Sequence, residues 1–208
     1  MFETTAWAQV WDTRGVSRVK ELEAQLERAQ QQLRAVQQVS RFMVREMSLA
    51  EILSGINRLI VECLRCDSCL IYLIDGSELV LCSSNRSPQE LGRVRLAMTE
   101  GLTGWVARER RLLSIPREAY LDRRFKRFSS LAEDTYEAFL STPIVARGRV
   151  VGVINVQHRA PHQHSGDEME LLTTLAEQIG ALLLLARVAP SALDAANHAE
   201  LLFPAASR

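Results

Sequence analysis

Residues 139–158 read FLSTPIVARGRVVGVINVQH and carry the strongest β-hairpin pattern in the chain. Two runs rich in β-branched residues flank a central Arg-Gly-Arg triplet. Runs of this kind, joined by a short glycine-containing turn, are typical of antiparallel strands. The stretch therefore predicts strands over 139–146 and 150–157, and it makes an antiparallel sheet the centre of the fold.

A second hairpin pattern lies earlier in the chain, where residues 66–81 read CDSCLIYLIDGSELVL. The β-rich runs on both sides of its Asp-Gly pair predict two more strands. Shorter strands are expected at 93–96 and 112–115, on either side of a short helix that opens at Gly101. We therefore expect a sheet of about five or six strands.

Helical patterns lie on both sides of this β-rich region. Apolar residues at helical spacing predict one helix over residues 49–64, and an acidic first turn followed by a broad apolar face predicts another over residues 167–188. Strands joined by tight turns, with helices gathered at the ends of the chain, are typical of an α+β fold. The expected architecture is an antiparallel sheet with helices on one face.

A narrow apolar stripe marks a further helix, expected over residues 18–47. Its apolar positions alternate in steps of three and four, with Ser40 as the interruption. This heptad spacing on an otherwise polar helix predicts a parallel two-stranded coiled coil, although leucine at both seam positions leaves the strand number open. The alternative is a lone solvated helix folded against its own domain. The predicted dimerisation residues are Val19, Leu22, Leu26, Ala29, Leu33, Val36 and Met43.

The composition excludes several classes of protein. The 208 residues hold 25 Lys and Arg against 25 Asp and Glu, so a net charge of zero offers no general attraction to nucleic acid or anionic membranes. The longest aliphatic run, residues 181–186, is far shorter than the ~20 residues that cross a bilayer. The N-terminus lacks the pattern of a secretory signal. We expect a cytoplasmic protein with neither nucleic-acid nor membrane partners.

Four cysteines lie close together in the sequence, and a reducing compartment would keep them as thiols. Thiolates at Cys-x-x-Cys spacing can hold zinc or an iron–sulfur cluster, so a redox or metal sensor is an alternative function. Buried apolar thiols are the commoner arrangement, and we expect no metal there. The turn type of the first hairpin decides whether the last two cysteines face each other. The four are Cys63, Cys66, Cys69 and Cys82.

Three histidines, His158, His162 and His164, lie in the polar linker before the last helix. Because nothing in the local pattern fixes their geometry, we expect a solvated loop rather than a metal site. The sequence also offers no Ser-His-Asp set, no paired catalytic carboxylates and no phosphate-binding glycine loop. We therefore expect a protein that is not an enzyme.

Four segments, taken in order, make the chain resemble a GAF domain, a sensory fold that binds small molecules. The resemblance covers about residues 38–188 and is nearest to the regulatory domains of nitrogen-related phosphotransferase enzymes and nitrogen-fixation activators. The segments are CDSCLIYLIDGSELVL, EGLTGWVARERRLLSIP, FLSTPIVARGRVVGVINVQH and SGDEMELLTTLAEQIGALLLLARV.

The resemblance implies that one face of the sheet packs the long helices, while the other face, a short helix and a loop over 117–137 enclose a ligand cavity. Residues 108–127 hold eight basic and three acidic side chains, which favours either an anionic metabolite or an acidic partner; the alternative is a solvated basic face. The candidate ligand-binding residues are Tyr72, Trp105, Arg117, Arg124, Phe139, Ser141 and Asn155.

These expectations combine into one hypothesis, a non-catalytic GAF-type regulatory protein with an unknown small-molecule ligand and no cofactor. It would form a homodimer through its N-terminal coiled coil and its last helix, and a partner protein would read its state. A ligand-free dimerisation scaffold is a further alternative. The expected division is a flexible N-terminus at 1–17, a coiled-coil helix at 18–47, a sensory domain at 48–188 and a flexible tail at 189–208.

Overall fold

The structure is a computed structural model that describes residues 5–43, 47–126 and 135–188. The helices in these ranges are α1 (Thr5–Met43), α2 (Leu49–Leu64), α3 (Gly101–Glu109) and α4 (Gly166–Val188). The strands are β1 (Ser68–Asp75), β2 (Glu78–Ser84), β3 (Arg95–Ala97), β4 (Leu113–Ile115), β5 (Ala138–Ala146) and β6 (Arg149–His158). Short 3-10 turns span Pro88–Glu90 and Ala119–Leu121.

The strands form one antiparallel sheet in the order β3-β2-β1-β6-β5-β4. The predicted α+β fold is confirmed, and so are both hairpins, β1–β2 and β5–β6. The second hairpin turns through Arg147 and Gly148, whose φ angles of 47° and 71° are those a type I′ turn requires. Pairing between β1 and β6 joins the two hairpins at the centre of the sheet.

Helices α2 and α4 pack on one face of this sheet, as expected. Every second side chain of the central strands, such as Ile71, Leu140 and Ile154, is buried in the core that these helices share with the sheet. The alternation follows from the pleat, which points successive side chains to opposite faces. Two-sided burial of the central strands explains why their sequences are almost continuously apolar.

Helix α1 joins the helical layer through its C-terminal half. Ala35 and Val39 are 1% and 0% exposed in the same core. Nearer the N-terminus, the Arg28 Nε atom lies 2.9 Å from a carboxylate oxygen of Asp167 in the first turn of α4. The contacts place α1 beside α4 on the outside of the domain.

The observed bounds of α1 differ from the predicted span of 18–47. The helix begins at Thr5, because residues 5–17 contain no proline and a single glycine, so nothing stops helix propagation there. It ends at Met43, and α2 starts afresh at Leu49 with the Ser48 side chain as its N-cap. The predicted flexible tail at 189–208 lies outside the described residues.

None of the helices in the described ranges has both the length and the apolar character needed to cross a membrane.

Close packing of α4 on β5 depends on Gly180, since a Cβ atom at this position would overlap the carbonyl oxygen of Val145. We predict that Gly180→Ala lowers the free energy of unfolding by ~1–3 kcal/mol, because the helix must move away from the strand. This corresponds to a fall in melting temperature of about 2–10 °C, measurable by circular dichroism. Gly166→Ala is the control, because its Cβ would point into open space. Equal melting temperatures for both variants would contradict the prediction.

Candidate functional site

Helix α3 lies against the second face of the sheet. Gly104 brings it close to the loop before it, since a Cβ there would come within 2.8 Å of the Met98 carbonyl oxygen and 3.0 Å of that of Ala97. The same helix buries Leu102 and Val106 towards the strands. This face is therefore closed by a short helix, as the predicted architecture requires.

The chain after β4 forms a second part of the cover, which we call the covering segment (residues 116–126). It contains the Ala119–Leu121 turn, and Phe125 packs with Leu102 and Phe139. The Lys126 ammonium pairs with Glu100 at 2.7 Å, just before α3 begins. That hydrogen bond and a second one from the backbone of Ala97 lower the pKa of Glu100. Residues 127–134 of the predicted loop lie outside the described residues.

A buried chain of side-chain hydrogen bonds ties α3 to the sheet. The Ser141 hydroxyl on β5 donates to the amide oxygen of Asn155 on β6 at 2.7 Å. The Asn155 amide nitrogen donates in turn to the Thr103 hydroxyl of α3 at 2.8 Å. A buried amide left without partners would cost about 1–3 kcal/mol, so this chain fixes the orientation of α3. Ser141 and Asn155 are among the predicted ligand-binding residues, whereas Thr103 is not.

The predicted ligand-binding residues divide into two groups. Tyr72, Phe139, Ser141 and Asn155 are at most 3% exposed and lie in the packed layer under α3 and the covering segment. Trp105, Arg117 and Arg124 lie nearer the surface, and Arg117 is exposed. A ligand that reaches the first group has to displace part of the cover.

Trp105 and Arg124 form the outer edge of this site. The Arg124 guanidinium lies 4.7 Å from the centre of the Trp105 ring, a cation–π distance. Arg124 also donates two hydrogen bonds to the Asp122 carboxylate, which lower the pKa of Asp122. The Arg124–Asp122 pair lies within the covering segment, which is fastened to α3 by the Arg124–Trp105 contact and by the pair of Lys126 with Glu100, the N-cap residue of α3.

The basic excess predicted for residues 108–127 is partly neutralised within the domain. Arg108, Arg124 and Lys126 each pair with a carboxylate, and Arg110 donates to the carbonyl oxygen of Gly148. Among the described residues of this stretch, Arg110, Arg111, Arg117 and Arg123 are exposed and form no ion pair. The unpaired positive charge is therefore shared between the end of α3 and the covering segment.

The solvated loop predicted for the three linker histidines is wrong for two of them, since His158 and His164 are buried, while His162 is half-buried. His158 and His164 are 7% and 3% exposed, and the rings of His158 and His162 stack with centroids 4.1 Å apart. One nitrogen from each of the three rings lies within 4.8 Å of those of the other two. Pro161 and the backbone hydrogen bond from His162 to Pro116 turn the linker back onto the sheet edge. Local sequence patterns cannot show that turn.

Two further side chains hold the histidine rings. His164 Nδ1 lies 3.0 Å from the Ser114 hydroxyl on β4, and His162 Nε2 donates to Glu168 on α4 at 2.8 Å. Burial lowers the pKa of His158, and it lowers that of His164 to about 4. Although burial raises the pKa of Glu168, hydrogen bonds from the Ser165 backbone and His162 lower it by more. At neutral pH the cluster therefore holds neutral His158 and His164 beside an ionised carboxylate.

Comparison with known proteins identifies the family. The model of the GAF domain matches residues 48–183, which is more than half of the chain. The chain belongs to the GAF domain family. The match includes α2, all six strands, α3 and most of α4.

Curated relatives of this GAF domain include proteins described as the phosphoenolpyruvate-dependent phosphotransferase system in Escherichia coli and Salmonella typhimurium. Over 135 residues the identities are 33% and 32%. The alignment covers 62% of this chain, and the chain spans 18% of the length of either relative. The likeness is thus to a regulatory GAF domain and does not extend to the remainder of those proteins.

Solved structures give the same result. The GAF domain of a phosphoenolpyruvate-protein phosphotransferase from Coxiella burnetii matches with a TM-score of 0.72 and 25% identity over 78% of this chain and 98% of that one. The Acinetobacter counterpart gives 0.69 and 26% over 76% and 95%. A free methionine-R-sulfoxide reductase from Neisseria meningitidis, at 0.62 and 16% over 74% and 89%, shares the fold alone.

Two of the four cysteines of this GAF domain are buried, two are half-buried, and the four are not arranged as a metal site. Cys66 and Cys69 are 6% and 0% exposed in the core under α2. The β1–β2 turn has two residues, but a bulge at Cys82 breaks the register, so Cys69 pairs with neither Cys82 nor its neighbour Ser83. Within the described residues, the histidines are the group with metal-binding spacing.

Burial raises the pKa of Cys66 to about 12, that of Cys82 to about 11, and that of Cys69 well above its usual value. Since the thiolate is the reactive form, we predict that Cys66 and Cys69 react at pH 8 at least about 1,000-fold more slowly in the native protein than in the unfolded chain. Timed labelling with a chromogenic disulfide, followed by peptide mass mapping, measures both rates. Rapid labelling of Cys66 or Cys69 in the native protein would contradict this prediction and would support the redox-sensor alternative.

Proposed function

We propose that the protein is a non-catalytic sensory unit that acts in the cytoplasm as a homodimer. A small anionic ligand held under the covering segment changes the packing of α1 and α4, and a partner protein reads that change. The proposal rests on one observation, namely that a row of apolar side chains on α1 is exposed and is not covered by the rest of the domain. Membership of the GAF family, with its regulatory relatives, supports the sensory part of the proposal.

The exposed row on α1 lies away from the face that packs on the domain. Val19, Leu22, Leu26 and Leu33 are 54–60% exposed, whereas Ala35 is buried. Leu33 and Ala35 are two residues apart, which is a rotation of about 200° around a helix. One helix therefore contacts the domain with one side and offers a heptad-spaced apolar seam with the other.

Other seam positions fit this arrangement less strongly. Ala29 is exposed, Val36 is half-buried, and the side chain of Met43 lies outside the described residues. On α4, Leu185 is 59% exposed, one turn after the exposed Ala181. This outer row of α4 supports the second part of the predicted dimer contact.

The ligand half of the proposal rests on how the covering segment is attached. Phe125, the Arg124–Trp105 contact and the Lys126–Glu100 pair hold its end over a layer that contains Tyr72 and the buried Ser141–Asn155 hydrogen bond. The exposed ion pair contributes little, typically ~0–1 kcal/mol, whereas Ala119 is buried and donates its backbone N–H to the carbonyl oxygen of Glu137, so a ligand would displace residues 122–126 more easily than the 119–121 turn. The exposed Arg117 and Arg123 would attract an anion.

Because the thiolate is the reactive form of cysteine, buried thiols with raised pKa values argue against a reductase or a redox sensor.

We predict that Leu26→Glu weakens dimerisation by about 100-fold or more, since each chain loses a leucine contact of about 1.5 kcal/mol and gains a buried charge. Because Leu26 is exposed in the single chain, the substitution leaves the melting temperature of the monomer unchanged. Light scattering after size exclusion, over a dilution series, measures the dissociation constant. Gln38→Glu is the control, since it adds the same charge at an exposed position outside the seam. A monomeric wild type, or a dimeric Leu26→Glu variant, would contradict the dimer proposal.

The ligand part is tested by thermal melting of the full chain with millimolar phosphate monoesters, dicarboxylates and neutral amino acids. We predict that an anion raises the melting temperature and that Arg117→Gln reduces this shift, because one attracting charge is lost. Arg149→Gln removes a charge from the β5–β6 turn and leaves the shift intact. No shift with any compound would favour the ligand-free scaffold, and a shift unaffected by Arg117→Gln would place the ligand elsewhere.

A further inference from the structure

We infer that His158, His162 and His164 form a binding site for a divalent transition metal of the Zn²⁺ class, at the junction of β6, β4 and α4. The site lies apart from the covering segment's Trp105–Arg124 edge and does not depend on the proposed ligand. It is carried by the mutual distances of the three imidazoles and by two buried nitrogens that nothing else engages.

Two ring nitrogens of the cluster are available as metal ligands. The Nε2 atoms of His158 and His164 are buried, and neither has a hydrogen-bond partner within the described part of the chain. Buried polar atoms are nearly always paired, so two unpaired ring nitrogens in one cluster require an explanation. A metal ion would engage the lone pair of each nitrogen.

Neighbouring groups hold the other nitrogens in the way that metal-binding histidines require. His164 Nδ1 lies at 3.0 Å from the Ser114 hydroxyl, so a proton on Nδ1 leaves the Nε2 lone pair free for the ion. Glu168 accepts from His162 Nε2, which leaves His162 Nδ1 as the third donor. Outer hydrogen bonds from ligating imidazoles to carboxylates and hydroxyls fix the ring orientation and increase the basicity of the ligand.

The distances between the ring nitrogens must shorten slightly before one ion can bind all three. One nitrogen from each ring lies within 4.8 Å of one nitrogen from each of the other two, whereas nitrogens bound tetrahedrally to one Zn²⁺ lie about 3.3 Å apart. Ring rotations that move each nitrogen by about 1 Å close this gap. His162 is the least buried of the three rings, so an adjustment there disturbs the packing least.

The chemistry of the donors selects the ion. Three neutral imidazoles favour Zn²⁺, Co²⁺, Ni²⁺ or Cu²⁺ over Mg²⁺ and Ca²⁺, which prefer oxygen ligands. Asp67 and Glu168 both interact electrostatically with His158, and their negative charge favours a cation at this place. The fourth coordination position is left to water.

Bound metal would tie three elements together. His158 ends β6, Ser114 belongs to β4, and Glu168 lies in the first turn of α4. Asp167, the neighbour of Glu168, is the residue that pairs with Arg28 of α1. The proposed site is therefore next to the contact between α4 and α1.

The test uses the metal-free full chain and titrates it with Zn²⁺ in a calorimeter and with Co²⁺ in a spectrophotometer. We expect one ion per chain and the visible absorption of tetrahedral Co²⁺ without the intense charge-transfer bands of thiolate ligands. His162→Gln should weaken binding about 100-fold or more, and Glu168→Gln, which removes an orienting carboxylate, about 10- to 100-fold. His198→Gln, at the remaining histidine of the sequence, is the matched control and should bind as the wild type does.

Thermal melting of each variant in the presence of a chelator shows whether the variant is folded, and this distinguishes the loss of a metal ligand from the loss of the fold. His162 is the histidine replaced because it is half-buried, so its replacement disturbs the core least. Absence of stoichiometric binding at micromolar Zn²⁺ overturns the inference. So do thiolate bands in the Co²⁺ spectrum, which would assign the ion to the cysteines, and equal affinities of the wild type, His162→Gln and Glu168→Gln.

Discussion

The antiparallel pairing of β1 with β6 is the interaction on which the other features depend. It aligns Ile71 with Ile154 and Tyr72 with Val153, so one pair faces α2 and α4 while the next faces α3. Since side chains alternate along a strand, a slip of one residue would send each set to the wrong face. Gly152 enforces the register locally, because a Cβ there would overlap the carbonyl oxygen of Tyr72.

Much of this fold could be predicted from local patterns, but the central pairing could not. Each hairpin shows its own turn chemistry within about 20 residues, whereas β1 and β6 are about 80 residues apart in the sequence and pair through shape and burial. The contact face of α1 was missed for a related reason. It consists of Ala35 and Val39 among glutamines, a pattern too weak to stand out beside the leucine seam.

The cysteines and histidines show why spacing alone is a poor guide to a metal site. The cysteines have the spacing of metal ligands, yet they extend over a helix end, a connection and two strands, and the bulge at Cys82 separates the last of them from Cys69 in register. The histidines lie in a linker with no regular period, yet the return of that linker to the edge of β4 brings their rings together. The decisive geometry is tertiary in both cases.

The two faces of the sheet are coupled because β5 and β6 contribute to both. Ser141 and Asn155 hold α3 on one side, while their neighbours Leu140 and Ile154 lie in the core under α4 on the other. A displacement of α3 therefore shifts the same backbone that supports α4, and close packing transmits rather than absorbs such shifts. A ligand bound under the cover, as proposed, could change the helical layer only by the difference in its affinity for two arrangements of the cover. The close contact of α4 with β5 at Gly180 is the point where a shift of the strand would reach the helix, because no side chain there separates the helix from the Val145 carbonyl oxygen.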